Sequence, residues 1–154
     1  MTTFFFAFLL GVISGLRTFT PPAAMSWAAR LGWLHLENTW LAFLGATITP
    51  YILSLLAVWE LIYDKLPKAQ SRKAPGSFAA RIVSGALCGM ALGVSNQAPL
   101  GGLCAGVAGA IAGTLGGYEA RSRLAKVLGR DLPAALIEDI IAIVGAFFIV
   151  SRLS

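Results

Sequence analysis

The residues best suited to chemistry lie where an apolar segment is interrupted. Arg17, Thr18 and Thr20 follow an apolar run, and Pro21 comes directly after them. A hydroxyl just before a helix and a proline in its first turn are typical of a helix start, so we predict a break at residues 17–19 between two helices. The new helix would direct free N–H groups and the positive end of its dipole toward the break. With a guanidinium and two hydroxyls, this arrangement is suited to bind an anion or a carboxylate.

Arg17 also has two simpler explanations. A charged side chain at membrane depth costs at least ~2.5–3.5 kcal/mol on insertion scales, so it usually faces protein or water and has a partner. Arg17 could pair with an acidic side chain inside the protein and stabilise the fold, or extend from a short, tilted helix to the membrane surface. Both roles stay open beside the binding of an anion.

Few acidic residues could pair with such an arginine. They lie late in one predicted helix and in the last one: Glu60, Asp64, Glu138 and Asp139. Neighbouring residues of a helix point about 100° apart, so only one of Glu138 and Asp139 can face a given partner. The acids could instead form structural ion pairs, or a site that handles protons or cations. Their alternative cationic partners are Arg81, Arg121 and Arg123.

The composition is that of an integral membrane protein. Of the 154 residues, 57% are hydrophobic and 12% are charged, about half of the ~25% charged residues of a soluble domain. Long apolar runs of about 20 residues are typical of membrane-spanning helices. The net charge of +5 is concentrated in short segments between apolar runs, which indicates topology signals and argues against a nucleic-acid partner. We therefore predict a single transmembrane domain over residues 1–154, an all-α polytopic bundle.

About five spanning helices are predicted, the first of them broken. The first covers residues 3–16, with a second piece at 21–33, and the second covers 39–63, with Pro50 inside it. The third covers 78–94, and the fourth covers 103–118 with a polar extension to 128. The fifth covers 131–150, with Asp131 as N-cap. Basic residues in segments 64–77 and 121–130 favour a cytoplasmic location for both. Five spans then place the N-terminus in the cytoplasm and the C-terminus outside. Arg17 would lie toward the outer half, away from the acids. If residues 21–33 formed a re-entrant or a separate span, the two termini would no longer be predicted on opposite sides.

Two further patterns concern the packing of the helices. Glycines recur at helical spacing on the third and fourth helices: Gly85, Gly89 and Gly93, then Gly102, Gly106, Gly109, Gly113 and Gly117. Such faces allow close backbone approach in lipid, so we predict a tight hairpin of these two helices, or a glycine-zipper contact between subunits. The motif T-x-T-P occurs at 18–21 and again at 47–50. Paired, proline-interrupted helices are typical of transporter sites.

No known set of catalytic or metal-binding residues is recognisable. His35 is the single histidine, and Cys88 and Cys104 lie in apolar, glycine-rich segments where small packing residues are expected. We predict no cofactor and no zinc site. A lipid-modifying enzyme built from Arg17, Thr20 and the acids is a remaining alternative.

Several stretches together resemble a known family. They are G-x-x-S-G-L-R-T-F-T-P-P near the N-terminus, G-A-L-C-G-M-A-L-G after A-A-R-I, G-G-Y-E-A-R, and the late A-L-I-E-D-I-I-A-I. The chain resembles, over nearly its whole length, a bacterial inner-membrane family catalogued as domain of unknown function 4126. The resemblance implies a compact polytopic helical protein of the bacterial cytoplasmic (inner) membrane. It implies no activity, substrate or cofactor.

Two functions follow as expectations. The first is a transporter- or channel-like protein that binds a small anionic or zwitterionic solute at the helix break near Arg17. Its candidate ligand-binding residues are Arg17, Thr18, Thr20, Glu60, Glu138 and Asp139. Because so few spans leave little room for a private pathway, we expect a homodimer or larger assembly. The alternative is a non-transporting membrane protein whose basic loops bind lipid, or which binds a protein partner.

Overall fold

The computed structural model describes residues 1–69, 71 and 73–153, and all regular elements in these ranges are helical. The helices are α1 (Thr2–Leu16), α2 (Thr20–Arg30), a 3₁₀ helix (Trp40–Gly45), α3 (Thr49–Tyr63), α4 (Pro75–Ser95), α5 (Pro99–Leu128) and α6 (Asp131–Ser151). The predicted all-α class is confirmed.

Three of these helices, α4, α5 and α6, are long and apolar enough to cross a membrane. This indicates a membrane protein, but the count of five spans is not supported. Helices α1 and α3 are apolar but have only 15 residues each. At about 1.5 Å per residue, such a helix covers roughly 22 Å of a hydrocarbon layer about 30 Å thick.

The break after α1 is present, although its capping differs from the prediction. Arg17 is extended, with φ −139° and ψ 121°. Thr20 is not the N-cap: Phe19 holds that position, Thr20 is the first helical residue, and no side chain caps this end. Asp131 is likewise the first residue of α6 and not its N-cap.

The second predicted helix, 39–63, is not continuous. The 3₁₀ helix ends before residue 46, and Pro50 lies in the first turn of α3. Proline lacks an N–H and its ring meets the carbonyl four residues earlier, so it suits a first turn and not a helix interior. Helix α2 is also shorter than predicted, because Gly32 turns the chain with φ +78°.

The predicted topology, in which the chain begins and ends on opposite sides of the bundle, is wrong. The end of α1 meets the end of α3, since Arg17 contacts Asp64, so these two helices run in the same direction. Trp27 of α2 donates a hydrogen bond to Ser54 of α3, and α2 therefore runs back beside α3. Helices α1 and α2 form a hairpin with the break at its tip. Since Asp139 contacts Arg17 and Gly145 lies beside Ile13, the start of α1 and the end of α6 lie at the end opposite the break.

The α4–α5 hairpin is confirmed, and α1 packs on α5 in the same manner. A Cβ added at Gly89 would lie 2.2 Å from the carbonyl oxygen of Gly102. One added at Gly109 would lie 2.1 Å from the carbonyl oxygen of Phe8. The glycine faces of α5 therefore accept the backbones of two neighbours, α4 and α1, within one chain.

Candidate functional site

The break between α1 and α2 is filled by a carboxylate of the protein itself. Glu60, on the last turn of α3, accepts hydrogen bonds from the N–H of Thr18 at 2.7 Å and from the N–H of Phe19 at 2.9 Å. Phe19 is the N-cap of α2 and Thr18 precedes it, so both N–H groups belong to the break itself and not to the body of the helix. Glu60 is buried. The anion that the sequence predicts at this position is therefore an internal side chain.

The carbonyl side of the break is held by helix α4. Nη1 of Arg81 donates to the carbonyl oxygens of Gly15 and Leu16, both at 2.8 Å. The hydroxyl of Ser84 donates to the carbonyl oxygen of Thr18 at 2.5 Å. A cation near the last carbonyls complements the negative end of the α1 dipole. The break is thus stabilised at both helix ends by buried side chains.

Arg17 lies at the centre of an ion network, which we name the Arg17 network: Arg17, Asp64, Lys65 and Asp139. Arg17 has no exposed surface and donates to the carboxylates of Asp64 and Asp139. Lys65 donates to the second oxygen of Asp139 and to the carbonyl oxygen of Leu61 at 2.8 Å. Pairing of Arg17 with internal acids is confirmed, and Arg17 does not extend to the membrane surface. Two cations balance two anions.

The two adjacent acids of α6 face different partners, as the helical geometry predicts. Asp139 contacts Arg17, whereas Glu138 lies 3.7 Å from Nη1 of Arg121. Arg121 also forms a two-pronged pair with Asp131, at 2.9 and 2.6 Å. Glu138 therefore belongs to a neighbouring cluster and not to the Arg17 network.

The two threonines contribute less than predicted. Thr18 takes part through its backbone N–H and carbonyl. The buried Thr20 hydroxyl has no hydrogen-bond partner among the described residues, and neither has Nε of Arg17. Since buried polar atoms usually have partners, these two atoms are the unsatisfied positions beside the break.

A polar cavity of about 730 Å³ opens beside the Arg17 network. Asp64 and Lys65 belong both to the network and to the cavity wall. The remaining wall comes from the α3–α4 loop, the last three turns of α5 and the start of α6. It includes Tyr118, Arg121, Ser122, Lys126, Arg130 and Asp131. Buried charges are thus reached from outside through two side chains.

Some functional residues were missed in the sequence or assigned elsewhere. Asp64 was predicted as a possible partner of Arg17 but not as a ligand-binding residue; it lies four residues after Glu60, so the two acids share a helix face. Lys65 follows directly. Arg81 was predicted as a possible partner of the acids, but it donates to the carbonyl oxygens of Gly15 and Leu16. Ser84 gave no signal, because only the packing of α4 beside α1 brings it to the break.

Asp139 connects the two cations of the network, because it contacts Arg17 and Lys65 at once. In the part of the chain that the structure describes, His, Cys, Asp and Glu side chains form no group of three that could hold a metal ion.

Glu60 should be important for the shape of the break. We expect Glu60→Ala to lower the free energy of unfolding by roughly 2–3 kcal/mol, because two buried N–H groups would lose their charged acceptor. Glu60→Gln, which keeps one carbonyl oxygen, should lose less. Thermal unfolding in detergent measures both, with the exposed Glu37→Ala as the control. Equal unfolding temperatures for all three proteins would contradict the role of Glu60.

Comparison with known proteins gives one finding. The model of one family, described as Domain of unknown function (DUF4126), matches residues 4–151, which is nearly the whole chain. No curated protein and no solved structure matches the chain.

Proposed function

We propose a function from the geometry of the site. This chain belongs to the family described as Domain of unknown function (DUF4126), and that description states no activity. It is a transporter- or channel-like membrane protein. It binds a small anionic or zwitterionic solute at the Arg17 network, beside the helix break.

One observation carries the proposal: Asp64 and Lys65 line the polar cavity and also pair with the buried partners Arg17 and Asp139. A solute in the cavity is therefore separated from Arg17 by a single carboxylate. Fully packed structural ion pairs need no such cavity. A helix break at membrane depth is tolerated where it is buried in protein, and Arg17 and Thr18 are buried here.

The exchange of partners gives a physical route for the solute. Removing one member of a buried ion pair is costly, because the other charge is left without compensation. A solute carboxylate or phosphate carries the same charge as Asp64 and can replace it on Arg17. Lys65, on the same wall, is placed to take the displaced carboxylate or the solute anion. Arg17 then keeps a partner throughout.

The orientation and assembly belong to the same proposal. The end that holds the cavity also carries the basic residues Lys65, Lys126 and Arg130, so it faces the cytoplasm by the positive-inside rule. The membrane is the bacterial inner membrane, crossed more than once. With three long helices per chain, a pathway formed between copies of the chain favours a homo-oligomer.

Solute-driven currents test this function. Purified protein in liposomes on a solid-supported electrode would receive concentration jumps of glutamate, lactate, glycine and inorganic phosphate. We expect a current with at least one of them, reduced tenfold or more by Asp64→Asn, which weakens one contact of Arg17. Glu119→Gln should leave the current unchanged, because Glu119 is exposed and pairs with Arg123 at 2.8 Å outside the cavity.

The proposal fails if folded protein gives, with every one of these solutes, neither a current nor uptake of radiolabelled solute above empty liposomes. It also fails if Asp64→Asn transports as well as the unchanged protein.

A further inference from the structure

A second, mostly apolar space shares one lining residue with the polar cavity. A crevice of about 140 Å³ lies between α5 and α6, and its wall is almost entirely apolar. It is lined by residues that include Leu16, Ala120, Leu124, Ile137 and Ile141, and also by Glu138, whose carboxylate lies 3.7 Å from Nη1 of Arg121. Arg121 lines both the crevice and the polar cavity. The two spaces are therefore neighbours on either side of Arg121.

The charges of the cavity wall are not balanced. Arg121 is neutralised by Asp131, at 2.6 Å, and Lys65 is paired with Asp139. Asp64 is paired with Arg17. Lys126 and Arg130 form no ion pair among the described residues and are exposed. Among the described residues of the wall, Lys126 and Arg130 are therefore the exposed cations without an ion pair, with Glu119 acting on Lys126 electrostatically, and both would attract a phosphate group.

A phospholipid carries a phosphate group next to apolar acyl chains, so it matches a phosphate site that lies next to an apolar crevice. Basic pockets between membrane helices on the cytoplasmic side bind anionic headgroups. A free phosphate would need the cavity alone and would leave the crevice empty. The exposed side chains of Ile137 and Ile141 continue the crevice along the apolar surface of α6, so an acyl chain could follow it into the lipid.

We propose that this chain holds a membrane phospholipid, with its phosphate beside Lys126 and Arg130 and the first part of an acyl chain between α5 and α6. The site lies in the same polar cavity as Asp64 and Lys65 of the Arg17 network, but lipid binding can be measured without transport. A lipid held there would cover the cavity that leads to Asp64.

Binding of short-chain phosphatidylglycerol to the detergent-purified protein, followed by calorimetric titration, tests the site. We expect saturable binding that Lys126→Gln/Arg130→Gln weakens roughly tenfold or more. Arg30→Gln/Arg152→Gln is the matched control, because it removes the same charge at the opposite end and should leave the affinity unchanged.

A second variant tests the acyl chain. Ala120→Leu fills the crevice and should weaken lipid binding at least fivefold, while Ala112→Leu, also exposed on α5 but outside the crevice, should not. Inorganic phosphate and glycerol phosphate should bind far more weakly than the lipid. If they bind equally well and Ala120→Leu has no effect, the site takes a free phosphate and the lipid assignment is wrong. Equal losses in the two double variants would show that no specific site exists.

This experiment measures binding and not flux. Loss of current in Asp64→Asn with intact lipid binding would support both proposals. Absence of current with intact lipid binding would overturn transport alone.

Discussion

Replacement of Arg17 by alanine should prevent stable folding. The carboxylate of Asp64 would lose its cation, and Asp139 would keep only Lys65. Breaking a buried ion pair by removing one partner costs about 3–5 kcal/mol, a large part of the roughly 5–15 kcal/mol that stabilises a typical protein. We expect little folded protein in detergent, and a much lower unfolding temperature for any that is recovered.

Size-exclusion chromatography of a fluorescent fusion, followed by thermal unfolding, measures this effect. Arg152→Ala is the control, because this exposed arginine follows the last residue of α6, far from the network, and its guanidinium lies over the ring of Phe148, at 4.8 Å from the centroid. A yield and an unfolding temperature for Arg17→Ala equal to those of Arg152→Ala would contradict the buried network.

Leucine at Gly89 or Gly109 should separate helices that now touch through their backbones. At both positions the first added carbon would lie within 2.2 Å of a carbonyl oxygen of the neighbouring helix. Because backbone atoms cannot change rotamer as a side chain can, the loss of stability should exceed the roughly 1–3 kcal/mol of ordinary overpacking. We expect loss of folded protein for leucine and a marked loss of stability even for alanine.

Gly116 offers a matched control on α5 itself. A Cβ there would meet nothing within 4 Å, so Gly116→Leu should be neutral or should gain up to about 1 kcal/mol from better helix propensity. Thermal unfolding of the three leucine variants measures the difference in stability. Similar stability for Gly89→Leu, Gly109→Leu and Gly116→Leu would mean that the helices do not pack through these glycines.

The helix break was predictable because its signals are local. Threonine followed by proline marks a helix start, and the cost of a charge at membrane depth requires partners for Arg17. The recurrence of T-x-T-P also has a structural counterpart, since both copies open a helix, at Thr20 and at Thr49. The glycine hairpin follows equally from spacing along the chain.

The partners of Arg17 could not be predicted from the sequence, because they depend on the direction in which α2 runs. If residues 21–33 continue the first span toward the outer side of the membrane, Arg17 lies far from the acids. Once α2 returns beside α3, the break comes level with Asp64 and Asp139. The sequence also suggests an anion from solution at the helix start, but Glu60, forty residues away in the chain, occupies the N–H groups of Thr18 and Phe19. Long-range packing decides both points.

The most direct test of the account is a double-mutant cycle at Arg17 and Asp64. The proteins are Arg17→Gln, Asp64→Asn and the double variant, which leaves the Lys65–Asp139 pair intact. Their free energies of unfolding measure how strongly the two side chains depend on each other. We expect Arg17→Gln to be severely destabilised and the double variant to recover at least ~1 kcal/mol of that loss. Losses that simply add would show that the guanidinium and the carboxylate do not meet at the tip of the α1–α2 hairpin.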